Sequence, residues 1–429
     1  MESQRQQLIG RFWLGRDPSR FCDGVLDLAT DYPTLSLVGG HHEWTYFLCD
    51  EVFFGRLASH RPEVVTLLNV YGGVTQQNGV PVETKATATL AVFGGHFQSL
   101  DDLTGLGIEF RLPPVAKWLH ETCFEHDFDR ETHVATIKYR AYAETEYPIS
   151  SEFRLVLAYT GSMLVGGWGS EQLEISRPLR IQLVSQQERP FEQLRMIAWR
   201  FSWLFSWLMN CPLRMSDIHL LRSEPEKQGW SQRITVIEGR SKNRGHQSEF
   251  DWDDCLLRFP DNSDLFPQLV AGWNKLCLER LDSLESYFSS FMDEAIAPEN
   301  EFLAVVAACE ELHAGRKGTK QSLANILGAL CESWDDVITK PVSDVLINKI
   351  IGTRHYFAHR TARRSKEAAR DFLLLRYTHF LRALYSLELL RLLDVPRERI
   401  VRTVASRHAI RSRLSREYFP GVADDVDTR

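Results

Sequence analysis

The sequence lacks the short motifs on which several large enzyme classes depend. It contains no GxxxxGK[ST] phosphate loop, no HExxH zinc-protease motif, no GxSxG nucleophile elbow and no GxGxxG fingerprint between a strand and a helix. Its eight cysteines never form a CxxC pair, which argues against a zinc ribbon and against a dense disulfide framework. These absences disfavour ATP-driven, zinc-protease, serine-hydrolase and dinucleotide chemistry, and we expect neither a cofactor nor a metal.

Long apolar runs are also missing. No run reaches the roughly 20 residues that cross a bilayer, and the nearest, Met196 to Cys211, contains Arg200 and two serines. This stretch predicts a buried helix. The first residues lack the charged-then-apolar order of a signal peptide. We therefore expect a cytoplasmic protein with reduced cysteines and no membrane partner.

Charge is unevenly distributed along the chain. Residues 341–429 hold 18 Lys and Arg against 10 Asp and Glu, although the whole chain carries a net charge of −7. The last fifth of the sequence is therefore a candidate for contact with a polyanion. The competing interpretation is that these arginines form the solvated faces of long helices, and charge alone does not decide between the two.

The first part of the chain predicts antiparallel strands. Between about residues 10 and 187, short runs rich in Val, Ile, Thr, Tyr and Phe alternate with period two and end at Gly or Pro, as in TLSLVGG, ATATLAVFGG and FRLVLAYTG. One helix, at about 190–210, interrupts this pattern, and LRMSDIHLL and RITVIEG then predict two more strands. This pattern is typical of a sandwich or barrel-like sheet.

Beyond Phe250 the apolar period changes to about 3.6, which indicates helices. The predicted segments are Leu265 to Met292, Glu301 to His313, Lys320 to Leu330, Val342 to Ile351 and Lys366 to Leu393. The last has apolar residues on several faces, so it must pack inside a bundle or against a second copy of the chain. We predict an α+β protein with a β-rich domain over residues 1–255 and an all-α bundle over residues 256–429.

The segment IGTRHYFAHRTARRSKEAAR, residues 351–370, is the most informative for chemistry. Gly352 is expected to end one helix, and Thr353 to cap the next, so that Arg354 lies in a first turn where free N–H groups hold phosphate well. His355 and His359 would share a face about 40° apart, with Arg354 about 140° from His359. A long arginine side chain could still reach that face.

An arginine and a histidine at one phosphate are the groups that metal-free cleavage of RNA by its own 2′-hydroxyl requires. Imidazole can take or give a proton near neutral pH, and guanidinium offers a planar donor fork to the phosphate oxygens. Basic side chains near the motif suit contacts to the RNA backbone, with solvated charge as an equal competitor. They are Lys317, Lys320, Arg360, Arg363 and Arg364.

The spacing alone is weak evidence, because chance gives about four Arg-x(4–6)-His matches in this composition. Four occur, at Arg214/His219, Arg240/His246, Arg354/His359 and Arg402/His408. Only Arg354/His359 combines a polar residue after the arginine, two aromatic residues and a basic run.

Each candidate residue also has an ordinary structural interpretation. His359 could be a buried helix histidine, and Arg354 could merely pair with a carboxylate. Glu310 or Glu311 could orient a catalytic side chain, although a surface carboxylate is the more common case. His355 with His359, and the acidic Asp251, Asp253 and Asp254, are poor metal sites because no further ligand completes either set. The tryptophans, including Trp13, Trp118, Trp199, Trp203 and Trp207, are expected in the core.

Arg354-His355-x-x-x-His359 resembles the motif of HEPN ribonuclease domains, which is Arg, a polar residue, a short gap and His. The ordered segments GRFWLG, FCDGVLDL, EVFFGRL, VVTLLN, ATLAVFGGHF and IEFRLPPVAKWL resemble the β-rich N-terminal domain of ApeA-type proteins, in which such a domain precedes a HEPN domain. The sequence departs from the HEPN pattern at His355, where many family members carry Asn.

The resemblance implies an antiphage defence protein of the abortive-infection kind. Its HEPN domain would be a metal-independent endoribonuclease that cuts RNA such as tRNA, with Arg354, His355 and His359 as catalytic residues. Two copies of the motif would meet across a homodimer, and a phage-derived trigger could control activity. The alternative is a noncatalytic HEPN-like module that binds RNA, nucleotide or protein, with the β-rich domain as its sensor.

Overall fold

A computed structural model describes most of the 429 residues. The described residues are 7–15, 17–38, 46–58, 60–77, 80–120, 124–139, 144–159, 162–165, 173–176, 178–223, 231–239, 250–293, 295–314, 321–338, 344–359, 368–415 and 418–419.

The first six strands close into an antiparallel barrel. They are β1 (Gln7–Leu14), β2 (Phe21–Asp27), β3 (Thr34–Val38), β4 (Tyr46–Leu57), β5 (Val64–Gln77) and β6 (Val80–Phe93). They pair in the order β6-β3-β2-β1-β4-β5, and β5 pairs with β6 to close the ring. The predicted barrel-like sheet is therefore confirmed.

The barrel interior follows from the period-two pattern. Leu8, Phe12, Leu26 and Phe53 are buried in one hydrophobic cluster, and in β1 the residues between the buried ones are exposed. The Phe12 ring lies so close to Gly55 that a Cβ at Gly55 would come within 2.6 Å of it. The core at this point therefore depends on a residue with no side chain.

A second antiparallel sheet continues from β6. Its strands are β7 (Thr104–Arg111), β10 (Thr145–Pro148), β11 (Phe153–Tyr159), β14 (Leu179–Pro190), β15 (Ser216–Ser223) and β16 (Ser231–Glu238). They run in the order β10-β11-β14-β7-β15-β16 and then join β6. Two hairpins complete the strands, β8 (Phe124–Asp129) with β9 (Val134–Tyr139) and β12 (Ser162–Val165) with β13 (Leu173–Ser176).

The helices pack against this second sheet and against one another. They are α1 (Pro113–Trp118), α2 (Phe191–Met209), α3 (Phe259–Asn262), α4 (Phe266–Glu279), α5 (Leu281–Met292), α6 (Pro298–Ala314), α7 (Leu323–Ser333), α8 (Asp344–His359), α9 (Asp371–Leu392), α10 (Arg397–Ser406) and α11 (His408–Arg413). The expected helix at about 190–210 is α2. The predicted helix from Leu265 to Met292 is two helices, because Arg280 leaves helical geometry at φ −137°, ψ 33°.

Helix α9 is buried on several sides within the chain itself. Leu374, Tyr377, Phe380, Leu384 and Leu387 are all nearly inaccessible, and α9 contacts α6, α7, α10 and α11. Of the two explanations that its apolar faces allowed, packing inside a bundle is the one found here. The helix therefore needs no second copy of the chain to cover these residues.

One hydrophobic cluster joins the second sheet to the helices. The Trp207 ring on α2 stacks on Trp273 of α4 at 5.8 Å, and Trp203 stacks on Phe288 of α5 at 5.1 Å. Trp118, Trp203 and Trp207 are core residues as expected, but Trp199 is 42% exposed and its placement in the core was wrong. The boundary at residues 255/256 stays a prediction, although packed side chains cross it.

The acidic stretch before α3 is a folded turn. Asp253 forms an ion pair with Arg258 at 2.5 Å, and the Asp251 carboxylate accepts a hydrogen bond from the Asp253 N–H. The adjacent Cys255, Leu256 and Leu257 are buried. The acidic side chains are therefore solvated, as expected, while the three residues that follow them are packed into the protein.

Candidate functional site

Arg354, His355 and His359 lie on the last two turns of α8, which runs without a break from Asp344 to His359. The expectation that Gly352 ends a helix and Thr353 begins another was wrong. The Thr353 hydroxyl is buried and donates a hydrogen bond to the Lys349 carbonyl at 2.8 Å, one turn earlier, as threonines inside helices do. A threonine bonded in this way does not cap a helix.

The backbone of α8 at the motif does not offer the positive charge of a helix beginning. Free N–H groups and a partial positive charge belong to the beginning of a helix, whereas the end of a helix has free carbonyls and a partial negative charge. Arg354 lies inside α8, where each backbone N–H is bonded to a carbonyl of the preceding turn. A phosphate near His359 would therefore have to be held by side chains and not by the helix backbone.

Arg354 points toward α6. Its Nη2 donates to the Glu310 carboxylate at 3.4 Å, and the two side chains are 30% and 32% exposed. Arg354 thus pairs with a carboxylate, and of the two acidic candidates it is Glu310 that contacts the motif. The Glu311 carboxylate instead accepts from the Ser286 hydroxyl at 3.0 Å.

The two histidines of the motif share one face, as the helical spacing predicted. Their ring centroids are 6.0 Å apart and the rings are tilted by only 28°. His359 is exposed, so the interpretation of His359 as a buried core histidine was wrong. The structure brings His355 and His359 together, while Arg354 contacts Glu310.

Three contacts fix the end of α8 against its surroundings. The Thr353 hydroxyl accepts a hydrogen bond from the Ala369 N–H at 3.0 Å. The Tyr356 ring lies 5.8 Å from the guanidinium of Arg370, and Phe357 packs edge-on against Phe302. The sequence offered no signal for the Thr353 contact, because its donor lies 16 residues further along the chain.

The predicted RNA-contacting residues Lys317, Lys320, Arg360, Arg363 and Arg364 lie outside the described residues. Residues 360–367 connect His359 to the segment that leads to α9, and residues 315–320 follow the end of α6. The contacts of these five residues to RNA stay a prediction.

The cysteine beside Glu310 is not a nucleophile. Burial raises the pKa of the Cys309 thiol to about 12, and the negative charge of Glu310 acts in the same direction. The thiol is therefore protonated at neutral pH, and the thiolate is the reactive form.

Within the part of the chain that the structure describes, no three His, Cys, Asp or Glu side chains are grouped so that they could hold a metal ion. None of the helices described combines the length and the apolar character that a membrane crossing requires.

Comparison with known proteins identifies the first part of the chain. A family model described as ApeA N-terminal domain 1 matches residues 7–273, which include the barrel, the second sheet, α2 and most of α4. No curated protein and no solved structure matches the chain.

Proposed function

This chain belongs to the ApeA family, by its match to ApeA N-terminal domain 1, and we propose that it is a metal-independent HEPN-type endoribonuclease acting in antiphage defence. The observation that carries the proposal is the end of α8, where Arg354, His355 and His359 are grouped within two turns and His359 is exposed. The His359 imidazole is thereby available to a substrate in solvent, with His355 and Arg354 half-buried beside it.

In the proposed reaction, the 2′-oxygen of the RNA attacks the adjacent phosphorus, and the bond from phosphorus to the 5′-oxygen breaks. One imidazole accepts the proton of the 2′-hydroxyl, and an imidazole in its protonated form gives a proton to the departing 5′-oxygen. Arg354 donates to the phosphate oxygens as negative charge develops on them. The products are a 2′,3′-cyclic phosphate and a 5′-hydroxyl.

The pairing of Arg354 with Glu310 is compatible with this role. At 3.4 Å and about one-third exposure, such an ion pair contributes roughly 0–1 kcal/mol. A phosphate accepts two parallel hydrogen bonds from a guanidinium, which is a stronger interaction. RNA can therefore displace Glu310 from Arg354 at small cost.

We further propose that two copies of the chain form the active unit. Within one copy, Arg354 contacts α6 while His355 and His359 share another face. A partner copy could supply the missing group to each phosphate. The proposed substrate is RNA such as tRNA, and the β-rich part of the chain would restrain or release the activity in response to a phage-derived trigger.

The mechanism is tested with an RNA that carries a single 2′-deoxyribose at a mapped cleavage position. RNA from phage-challenged cells that express the protein identifies that position, and purified protein with phage lysate is then assayed with EDTA present. We expect cleavage of the all-ribose RNA in EDTA, cyclic phosphate ends, and no cleavage at the deoxyribose. Cleavage at the deoxyribose, or loss of cleavage in EDTA, would contradict the mechanism.

The noncatalytic alternative gives a different result in the same experiment. A binding module would retain RNA with an affinity that falls steeply with salt, but would produce no new RNA ends in any sample, including those from phage-challenged cells. That outcome would overturn the nuclease proposal.

A further inference from the structure

Arg370, directly before α9, lies against the end of α8. Its Nη2 donates to the Tyr356 hydroxyl at 3.4 Å, and its guanidinium is 5.8 Å from the centre of the Tyr356 ring. The backbone beside it is also fixed, because the Ala369 N–H donates to the buried Thr353 hydroxyl at 3.0 Å. Contacts with α8 therefore position Arg370, although it follows His359 by 11 residues in the sequence.

Tyr356 holds this arginine on the side of α8 that carries His359. At about 100° per residue, Tyr356 and His359 are about 60° apart around the helix, whereas Arg354 is about 140° from His359 in the other direction. Arg354 contacts Glu310 on α6, and Arg370 contacts Tyr356. Within one copy of the chain, an arginine thus lies on each side of His359.

Arg370 is exposed, and in the part of the chain that the structure describes no carboxylate pairs with it, including that of the adjacent Asp371. Arg354, by contrast, pairs with Glu310. A solvent-facing guanidinium that is not neutralised can donate its planar fork to two phosphate oxygens. Residues 341–429, which include Arg370, hold 18 Lys and Arg against 10 Asp and Glu. This surface therefore favours an anion.

Phe372, two residues after Arg370, is an exposed aromatic side chain. It is 64% exposed, which is high for phenylalanine, because this side chain is usually buried. The Arg376 guanidinium lies 4.5 Å from the centre of the Phe372 ring and 5.2 Å from that of Tyr418. Arg376 therefore covers one face of the Phe372 ring and leaves the other face open to solvent.

We propose that Arg370 and Phe372 bind one nucleotide of the RNA beside the scissile phosphate, an inference that rests on the proposed nuclease function. Arg370 would donate to the phosphate that flanks the scissile one, and the base of that nucleotide would stack on the open face of Phe372. Proteins commonly hold an unpaired base by stacking it on an aromatic side chain. Tyr356 would be a positioning residue, since it holds the guanidinium of Arg370.

The test measures binding of a fluorescein-labelled 2′-O-methyl oligoadenylate, which cannot be cleaved, to the full-length protein by fluorescence anisotropy at several salt concentrations. The variants are Arg370→Gln and Phe372→Leu, with Phe372→Trp to restore an aromatic face. The matched controls are Arg402→Gln, at an exposed arginine on α10, and Leu278→Ala, at an exposed apolar side chain on α4. All the substituted side chains are exposed, so each variant should fold.

We expect Phe372→Leu to weaken binding by about tenfold without changing its salt dependence, and Phe372→Trp to bind like the wild type. Arg370→Gln should weaken binding by about tenfold. It should also reduce the slope of log affinity against log salt by about 0.7, which corresponds to the loss of one phosphate contact to a single strand. The two control substitutions should leave the affinity unchanged.

The positioning role of Tyr356 has its own readout. Tyr356→Phe removes the hydroxyl that accepts from Arg370, so it should weaken binding in the wild type and cause no further loss in Arg370→Gln. A further loss in the double variant would contradict this role.

The inference is overturned if the wild type does not bind the oligoadenylate, if Arg370→Gln and Arg402→Gln have equal effects, or if Phe372→Leu binds like the wild type. Because the assay measures binding to an RNA that cannot be cut, it can succeed although the protein is not a nuclease. It can also fail although cleavage occurs, so the two failures are distinguishable.

Discussion

Among the described residues, the carboxylate that contacts Arg354 is that of Glu310, and it can be removed without disturbing the helix. We expect Glu310→Gln to change the free energy of unfolding by less than about 1 kcal/mol, because the ion pair is partly exposed. Without the competing carboxylate, Arg354 should bind RNA about two- to fivefold more tightly. Fluorescence anisotropy with a 2′-O-methyl RNA, which cannot be cleaved, measures this affinity.

The matched control is Glu311→Gln, which removes the same charge one residue further along α6. Its carboxylate contacts Ser286 and not Arg354. The two substitutions should therefore differ in their effect on RNA affinity. If both tighten binding equally, the cause is the overall charge, and the role assigned to Arg354 is contradicted.

From the lowered pKa of His379 on α9, we expect the stability of the protein to depend on pH. Burial, with the nearby Arg413 and Arg382, lowers its pKa from the usual 6.5 to about 4. Between these two values the unfolded chain binds a proton that the folded chain does not, so stability falls as the pH is lowered through this window. The contribution is on the order of 1–2 kcal/mol, since the ring retains some contact with solvent.

Urea unfolding at about pH 7 and pH 4.5 measures this effect. His379→Gln should lose less stability than the wild type between the two pH values, and the Gln side chain can still bond to the Tyr418 hydroxyl, which contacts His379 at 2.9 Å. An unchanged pH dependence in the variant would show that His379 titrates normally.

The continuity of α8 through Gly352 is testable by a substitution that favours helix. A Cβ at Gly352 would meet nothing within 4 Å. A helix with alanine at an interior position is more stable than one with glycine there by about 0.5–1 kcal/mol. Gly352→Ala should therefore raise the free energy of unfolding by that amount, as measured in urea.

Gly55→Ala is the contrasting case. The added methyl would lie 2.6 Å from the Phe12 ring in the barrel, and overpacking costs about 1–3 kcal/mol. Gly55→Ala is therefore expected to destabilise the protein. If Gly352→Ala also destabilises it, α8 is not continuous through Gly352.

The Thr353 hydroxyl connects α8 by a hydrogen bond to the segment before α9. The side chain is fully buried, and its oxygen accepts from the Ala369 N–H while donating to Lys349. Thr353→Val keeps the shape but leaves the Ala369 N–H without its acceptor, at a cost of about 1–3 kcal/mol. Thr353→Ser keeps the hydroxyl and should lose less stability in the same unfolding assay. Equal losses would mean that the hydrogen bond contributes nothing.

Strands and helices whose formation depends on the local sequence pattern were predicted correctly. The alternation in TLSLVGG and ATATLAVFGG predicted strands β3 and β6 correctly, and the 3.6-residue period predicted α2 and α9. The end of α8 was missed because Gly352 and Thr353 favour a helix boundary in isolation. Tertiary contacts override that preference, since the buried Thr353 hydroxyl is satisfied from both sides.

For the whole molecule, pairings between distant residues limited the prediction. Closure of the barrel depends on β5 pairing with β6 while β3 pairs with the other edge of β6. The order of strands in this ring is not encoded in any short stretch of sequence.

The candidate site was predictable in part. Helical spacing correctly predicted that His355 and His359 share a face. The partner of Arg354 could not be chosen between Glu310 and Glu311, because that choice depends on how α6 packs against α8. Because no helix begins at Arg354, the proposed phosphate contact would be made by side chains and not by free backbone N–H groups. Arg354 and His359 are the side chains proposed for it.

The most direct test compares RNA cleavage in phage-challenged cells that express the wild type, Arg354→Ala, His359→Ala or Arg402→Ala. Arg402 is an exposed arginine on α10 that belongs to a chance Arg-x(5)-His match, and its loss should leave cleavage unchanged. We expect Arg354→Ala and His359→Ala each to lower cleavage by at least about 100-fold, with each unfolding free energy within about 1 kcal/mol of the wild type. Cleavage at the wild-type level by folded His359→Ala would contradict the account.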